Sequence, residues 1–126
     1  MNDTSKNKLN AAFRSLRKEG FIARQSFSCC GSCAGYELAT AVSEMPEAKR
    51  ARVKGVVFYT KQDAANLRWK PTSLFLAYGP LDTQAYGEIG LPTETVGAAV
   101  VQALNAAGLA TRWDGTASAK IEVVLP

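Results

Sequence analysis

Two short runs in the middle of the chain are almost continuously apolar. They occupy residues 55–60 (GVVFYT) and 73–78 (SLFLAY). A strand that is buried on both faces has this pattern, because neither of its faces meets water. Amphipathic segments with apolar residues at helical spacing alternate with these runs. This alternation favours an α/β fold, in which helices cover the faces of a sheet.

The remaining helices and strands are predicted from the spacing of the apolar residues and from glycine and proline residues, which end them. The predicted helices cover residues 3–19, 28–45, 61–69 and 93–108. The predicted strands cover residues 21–27, 55–60, 73–78, 109–113 and 119–125. Residues 79–91 are rich in glycine, so we expect a mobile loop there. In the last strand Lys120 and Glu122 alternate with apolar residues, which predicts one wet face.

This order of elements predicts an α/β (or α+β) domain with a mixed, mostly parallel sheet of about five strands and helices on its faces. Strands separated by helices should pair in parallel through right-handed crossovers, and the two C-terminal strands should form an antiparallel hairpin. Residues 1–126 should form a single globular domain, frayed at residues 1–5.

Charge is distributed unevenly along the chain. Residues 1–70 carry 13 Lys and Arg against 6 Asp and Glu, whereas residues 71–126 carry 2 against 5. The basic residues alternate with apolar ones, as on a solvated helix face, so we do not expect a nucleic-acid partner. No apolar run approaches the roughly 20 residues that span a bilayer. The polar N-terminal segment lacks a secretory signal, and we therefore expect a cytoplasmic protein without membrane contact.

All three cysteines lie within five residues, at Cys29, Cys30 and Cys33. They fall where a predicted strand passes into a helix, and the N–H groups at a helix N-terminus lower the pKa of a thiol. Cys30 and Cys33 have the spacing of a redox dithiol, as in thioredoxin-like proteins. Two alternatives stay open. Both residues also fall on the apolar stripe of the helix, which would bury them, and three thiolates with Asp63 or a second copy could hold a metal ion.

The chain has no histidine. This excludes Ser-His-Asp and Cys-His activation of a nucleophile and every metal site that includes histidine. We predict no cofactor, and whether the domain is an enzyme stays open.

Polar and aromatic residues also follow the other predicted strands, and each has an ordinary structural explanation, such as a helix cap or a turn. If the first four strands are parallel, however, these clusters share the carboxyl edge of the sheet, where open α/β folds bind ligands. Cys29, Asp63, Tyr78 and Trp113 should then surround one depression. We predict that the three thiols and Asp63 are catalytic. The predicted ligand-binding residues are Tyr36, Tyr59, Gln62, Tyr78, Trp113 and Asp114.

Several short motifs occur in order along the chain: F-x-C-C-x-x-C, F-Y-x-x-Q-D, L-x-L-A-Y-G and W-D-G. Over residues 21–125 the chain resembles an uncharacterised bacterial family that is catalogued as a domain of unknown function. The resemblance implies no established activity.

Thiol or redox chemistry is the function that the sequence favours, with Cys29 or Cys30 as the attacking thiolate and Cys33 as the resolving thiol. The alternative is a non-catalytic module with structural cysteines, which would bind a small molecule or a protein through its aromatic residues.

Overall fold

The computed structural model describes residues 4–68 and 71–125. Its helices are α1 (Thr4–Lys18), α2 (Gly31–Ser43), α3 (Glu47–Arg50), α4 (Lys61–Ala64) and α5 (Thr93–Ala106), and a 3₁₀ turn (Ala65–Arg68) follows α4. Its strands are β1 (Phe21–Arg24), β2 (Gly55–Phe58), β3 (Thr72–Gly79), β4 (Leu81–Thr83), β5 (Gly87–Ile89), β6 (Ala110–Arg112) and β7 (Ile121–Leu125). In the described part of the chain, no helix is long and apolar enough to cross a membrane.

Two predicted segments, residues 1–5 and 61–69, extend beyond the residues that the structure describes. Residues 4 and 5 belong to α1 and residues 1–3 lie outside the described residues, so the fraying of residues 1–5 stays a prediction. The predicted helix 61–69 consists of α4 and the 3₁₀ turn, and residue 69 also lies outside the described residues.

The main sheet has five strands in the order β1-β2-β3-β7-β6. β1 and β2 pair in parallel, with Phe21 opposite Gly55. The pairings β2–β3, β3–β7 and β6–β7 are antiparallel. A mixed α/β sheet of five strands with a C-terminal antiparallel hairpin is therefore confirmed. The prediction that the sheet is mostly parallel, with its first four strands all parallel, is wrong.

The connection between β2 and β3 reverses the chain. It contains α4 and the 3₁₀ turn, residues 61–68. β3 then runs back along β2, with Ala77 opposite Phe58 and Gly79 opposite Val56. A helix between two strands was expected to indicate a parallel crossover, and here it does not.

Helices α1 and α5 cover one face of the sheet. Their apolar stripes pack on the inward residues of the strands to form the larger core. Its fully buried large residues include Leu9, Phe13, Leu16, Val57, Leu74, Leu76, Val100, Leu104, Ile121 and Val123. The predicted wet face of β7 is confirmed, because Ile121, Val123 and Leu125 are buried while Glu122 and Val124 stay partly exposed.

A smaller apolar cluster lies on the other face, where α2 and β4 pack on β1 and β2. Its buried residues are Ile22, Leu38, Val42, Val56 and Leu81. Where a mobile loop was expected, at residues 79–91, β4 pairs with β5 as an antiparallel hairpin. The Thr83 hydroxyl closes the turn, since it accepts from the Tyr86 N–H and donates to the Gly87 carbonyl.

Candidate thiol site

The loop between β1 and α2 lies at the carboxyl edge of β1 and β2. The Phe27 N–H donates to the Tyr59 carbonyl at 2.9 Å, and the Lys61 N–H donates to the Ser28 carbonyl at 3.0 Å. Ser26 (φ 50°) and Ser28 (φ 61°) both have left-handed backbone conformations, which are uncommon for residues other than glycine. These bonds and turns place the next two residues, Cys29 and Cys30, directly before α2 and beside the segment that follows β2.

The three cysteines converge at the N-terminus of α2. Cys30 is the N-cap residue and Cys33 is the third residue of the helix. The three Sγ atoms lie within 4.8 Å of one another, and those of Cys29 and Cys30 are 3.8 Å apart. All three thiols are free.

The thiols are accessible to solvent. Cys29 and Cys33 are exposed and Cys30 is partly exposed. The alternative that the cysteines are buried structural residues is therefore wrong. The buried stripe of α2 consists of Ala34, Leu38 and Val42, at a spacing of four residues. Cys33 precedes this stripe by one position, about 100° around the helix, and Cys30 lies outside the helix.

The site gives Cys30 and Cys33 different acidities. The pKa of Cys30 is lowered, first by the backbone N–H of Cys33 and then by the thiols of Cys33 and Cys29. The pKa of Cys33 is raised to about 11, first by its contact with the Cys29 thiol and then by its contact with Cys30. Cys30 is therefore the residue that more readily becomes a thiolate, and Cys33 the one that keeps its proton.

A shallow depression of about 480 Å³ lies beside the thiols. It is lined by Ser28, Cys29, Ser32, Cys33, Tyr36 and Glu37. Tyr36 is 75% exposed and borders the depression one turn after Cys33, as its position in the helix predicts. Its role in ligand binding stays a prediction.

Asp63 lies at the same edge of the sheet but acts as a helix cap. Its carboxylate accepts from the Thr60 N–H at 3.1 Å and from the Thr60 hydroxyl at 3.0 Å, and its own N–H donates back to that hydroxyl at 3.3 Å. This reciprocal arrangement is a capping box at the start of α4. Neither Asp63 nor its exposed neighbour Gln62 lines the depression beside the thiols. Their predicted catalytic and binding roles stay predictions.

Tyr59 is fully buried between α1 and the sheet. Its hydroxyl donates to Oε1 of Gln25 and accepts from Nζ of Lys6, both at 2.9 Å, and Gln25 Nε2 donates to Asn10 at 2.9 Å. Burial raises the pKa of Tyr59 to about 12. The predicted site residues did not include Lys6, Asn10 or Gln25, which form this hydrogen-bond network. Lys6 and Asn10 lie four residues apart beside the apolar stripe of α1, so their spacing indicates that they share one face of the helix.

Tyr78 and Trp113 pack against α5 on the face of the sheet that carries the larger core, whereas α2 packs on the other face. The Trp113 indole donates to the Tyr78 hydroxyl at 2.7 Å, and the two rings meet edge to face with centroids 5.8 Å apart. Asp114 forms a turn, accepting from the backbone N–H of Thr116 at 2.9 Å. The prediction of one depression shared by Cys29, Asp63, Tyr78 and Trp113 is therefore wrong. The prediction failed because it assumed four parallel strands, whereas β3 and β6 run against β1 and β2.

A protein-family model described as a domain of unknown function (DUF6891) matches residues 1–125. The chain belongs to the DUF6891 family. The match confirms the resemblance drawn from the sequence motifs and extends it to α1. No curated protein and no solved structure matches the chain significantly.

Proposed function

We propose that this DUF6891 domain catalyses thiol–disulfide exchange, with Cys30 as the attacking thiolate and Cys33 as the resolving thiol. One observation carries the proposal. Cys30 and Cys33 occupy the N-cap and the third position of α2, with accessible side chains and sulfurs within 4.8 Å of each other. A helix N-terminus stabilises a thiolate through its unpaired N–H groups, and a second thiol within reach can resolve a mixed disulfide.

The unequal acidities of the two thiols support this assignment of roles. The lowered pKa of Cys30 increases the thiolate fraction that attacks a disulfide. The raised pKa of Cys33 keeps it protonated while Cys30 is free. Once the Cys30 sulfur belongs to a mixed disulfide, one of the contacts that raise the pKa of Cys33 is lost, which favours release of its proton.

The reaction balances as a two-electron transfer. The Cys30 thiolate attacks one sulfur of a substrate disulfide R–S–S–R′, forms a Cys30–S–S–R bond and expels R′S⁻, which takes a proton from water. Cys33 then loses its proton to water, attacks the Cys30 sulfur and expels RS⁻. The substrate is reduced to two thiols and the protein is oxidised to a Cys30–Cys33 disulfide. A low-molecular-weight thiol in excess reverses these steps and restores the dithiol.

The setting for this exchange is the reducing cytoplasm, where low-molecular-weight thiols keep cysteines reduced. The substrate is a disulfide on a small molecule or on a protein. Tyr36 offers an apolar surface for the non-reacting half of the substrate, because it is exposed and borders the depression that Cys33 lines. Asp63 is outside the reaction in this proposal.

Trapping with glutathione disulfide tests the proposal. The reduced parent should lose two hydrogens and form a Cys30–Cys33 disulfide, whereas Cys33→Ser should stop at a glutathione adduct on Cys30. Cys30→Ser should react at least about tenfold more slowly, because it lacks the favoured thiolate. Mass spectrometry of alkylated, digested protein reads out each species, and circular dichroism confirms that each variant is folded.

Thr40→Ala is the control, since Thr40 is an exposed residue of α2 that does not line the depression. It should react like the parent. The proposal is overturned if Cys30→Ser reacts as fast as the parent, or if the parent forms no disulfide between Cys30 and Cys33.

A further inference from the structure

We propose that Cys29, Cys30 and Cys33 together form a three-thiolate site for a single thiophilic d¹⁰ metal ion, Cu(I) or Zn(II). The site is distinct from the proposed redox function, in which only Cys30 and Cys33 form covalent bonds. A role as the third metal ligand accounts for the position of Cys29, whose sulfur lies 3.8 Å from that of Cys30.

The distances between the sulfurs match those around a bound metal ion. With metal–sulfur bonds of about 2.3 Å, ligand sulfurs are about 3.8 Å apart in a tetrahedral site and about 4.0 Å apart in a planar three-coordinate site. The three Sγ atoms here already lie within 4.8 Å of one another. Changes of rotamer in accessible side chains are enough to close the remaining difference.

The donor set determines the class of metal. Three soft thiolates favour Cu(I) or Zn(II), whereas Mg²⁺ and Ca²⁺ require oxygen ligands. Among the described residues, the three cysteines converge without a histidine or carboxylate in the same group. Three thiolates complete the coordination of Cu(I). Zn(II) takes a fourth ligand, such as water, on the side that opens into the depression.

Metal binding and the disulfide exclude each other, because a Cys30–Cys33 disulfide removes two of the three ligands. A bound ion should therefore protect the dithiol from oxidation. The reduced and oxidised proteins should differ in metal affinity even though the rest of the chain is unchanged.

Competition with coloured chelators tests the site. The reduced full-length protein is titrated without oxygen against the Cu(I) complex of bicinchoninate and, separately, against the Zn(II) complex of pyridylazoresorcinol. We expect one equivalent of one ion to transfer to the protein, and the two titrations show which ion it is. Each of Cys29→Ser, Cys30→Ser and Cys33→Ser should weaken binding by more than about 100-fold, since loss of an outer-sphere partner alone costs about 10–100-fold.

Cys29→Ser separates this site from the proposed function. It should lose the metal but still form the Cys30–Cys33 disulfide with glutathione disulfide. Thr40→Ala should keep both properties. The proposal is wrong if the reduced parent takes neither ion, or if Cys29→Ser binds the metal as tightly as the parent does.

Discussion

At the scale of single residues, the same side-chain type has opposite environments at different places in this molecule. Tyr36 stands exposed beside the thiols, whereas Tyr59 is fully buried and hydrogen-bonded to Lys6 and Gln25. Both were predicted to bind a ligand because both are aromatic residues beside a cluster of polar or cysteine residues at a predicted strand end. The sequence pattern did not reveal that Tyr59 packs against Phe13 of α1, which buries it.

Tyr59 should make stability sensitive to alkaline pH. Its pKa in the folded protein is about 12, above the ordinary value of 10.0. Below pH 10 both the folded and the unfolded states are protonated, so the full contribution to stability is present. Between pH 10 and 12 the unfolded state ionises first, and the free energy of unfolding should fall by up to about 1.4 kcal/mol per pH unit.

Urea unfolding of the parent and of Tyr59→Phe between pH 7 and 12 measures this effect. At neutral pH the variant should be about 1 kcal/mol less stable, because Gln25 and Lys6 lose the hydroxyl. Above pH 10 the two curves should converge and then cross, because the loss of stability in the parent comes to exceed its initial advantage of about 1 kcal/mol. Parallel curves through that range would contradict the raised pKa of Tyr59.

At the scale of elements, the start of a helix decided what the cysteines and Asp63 can do. The predicted helix began at residue 28, which placed Cys30 and Cys33 on its apolar stripe. The observed α2 begins at Gly31, and the stripe instead follows Ala34, Leu38 and Val42. The later start leaves Cys30 outside the helix, and the loop that sets this start is held by hydrogen bonds to the segment after β2. Cys33 lies about 100° around the helix from the buried stripe, so neither cysteine is buried by it.

Asp63→Ala should lower stability without slowing thiol exchange. The substitution removes the carboxylate that caps α4 together with Thr60, and loss of such a cap costs about 1 kcal/mol. Urea unfolding measures the stability, and the rate of Cys30 modification by glutathione disulfide measures the chemistry. A large fall in rate with unchanged stability would instead support the catalytic role that the sequence suggested for Asp63.

At the scale of the whole molecule, the apolar runs predicted the depth of the strands but not their direction. Residues 55–60 and 73–78 do contain adjacent central strands, yet the second runs against the first. An apolar run has the same composition in either direction, so the direction depends on the connection between the strands. The thiol cluster could be predicted because its three residues are adjacent in sequence. The composite site could not, because it combined residues whose separation depends on that direction.

Gly97 joins three elements, since α5 packs there against Tyr78 of β3 and Trp113 after β6. A Cβ atom at Gly97 would lie 2.5 Å from the Trp113 ring and 2.8 Å from the Tyr78 ring. Gly97→Ala should therefore destabilise the protein by about 1–3 kcal/mol through overpacking. Gly35→Ala is the matched control within α2, where a Cβ meets no atom within 4 Å, and it should stabilise the protein by up to about 1 kcal/mol.

Urea unfolding of both glycine variants checks this pair. The two should move the midpoint in opposite directions. Equal shifts of the urea midpoint would mean that the aromatic rings move to accommodate the new methyl group, and would contradict the predicted overpacking at Gly97.

The two faces of the sheet divide the molecule into two regions that evolution can change separately. The aromatic pair packs against α5 on one face, and the thiols lie at the start of α2, which packs on the other face. The loop and the first turn of α2 can therefore vary in sequence while the larger core keeps its packing.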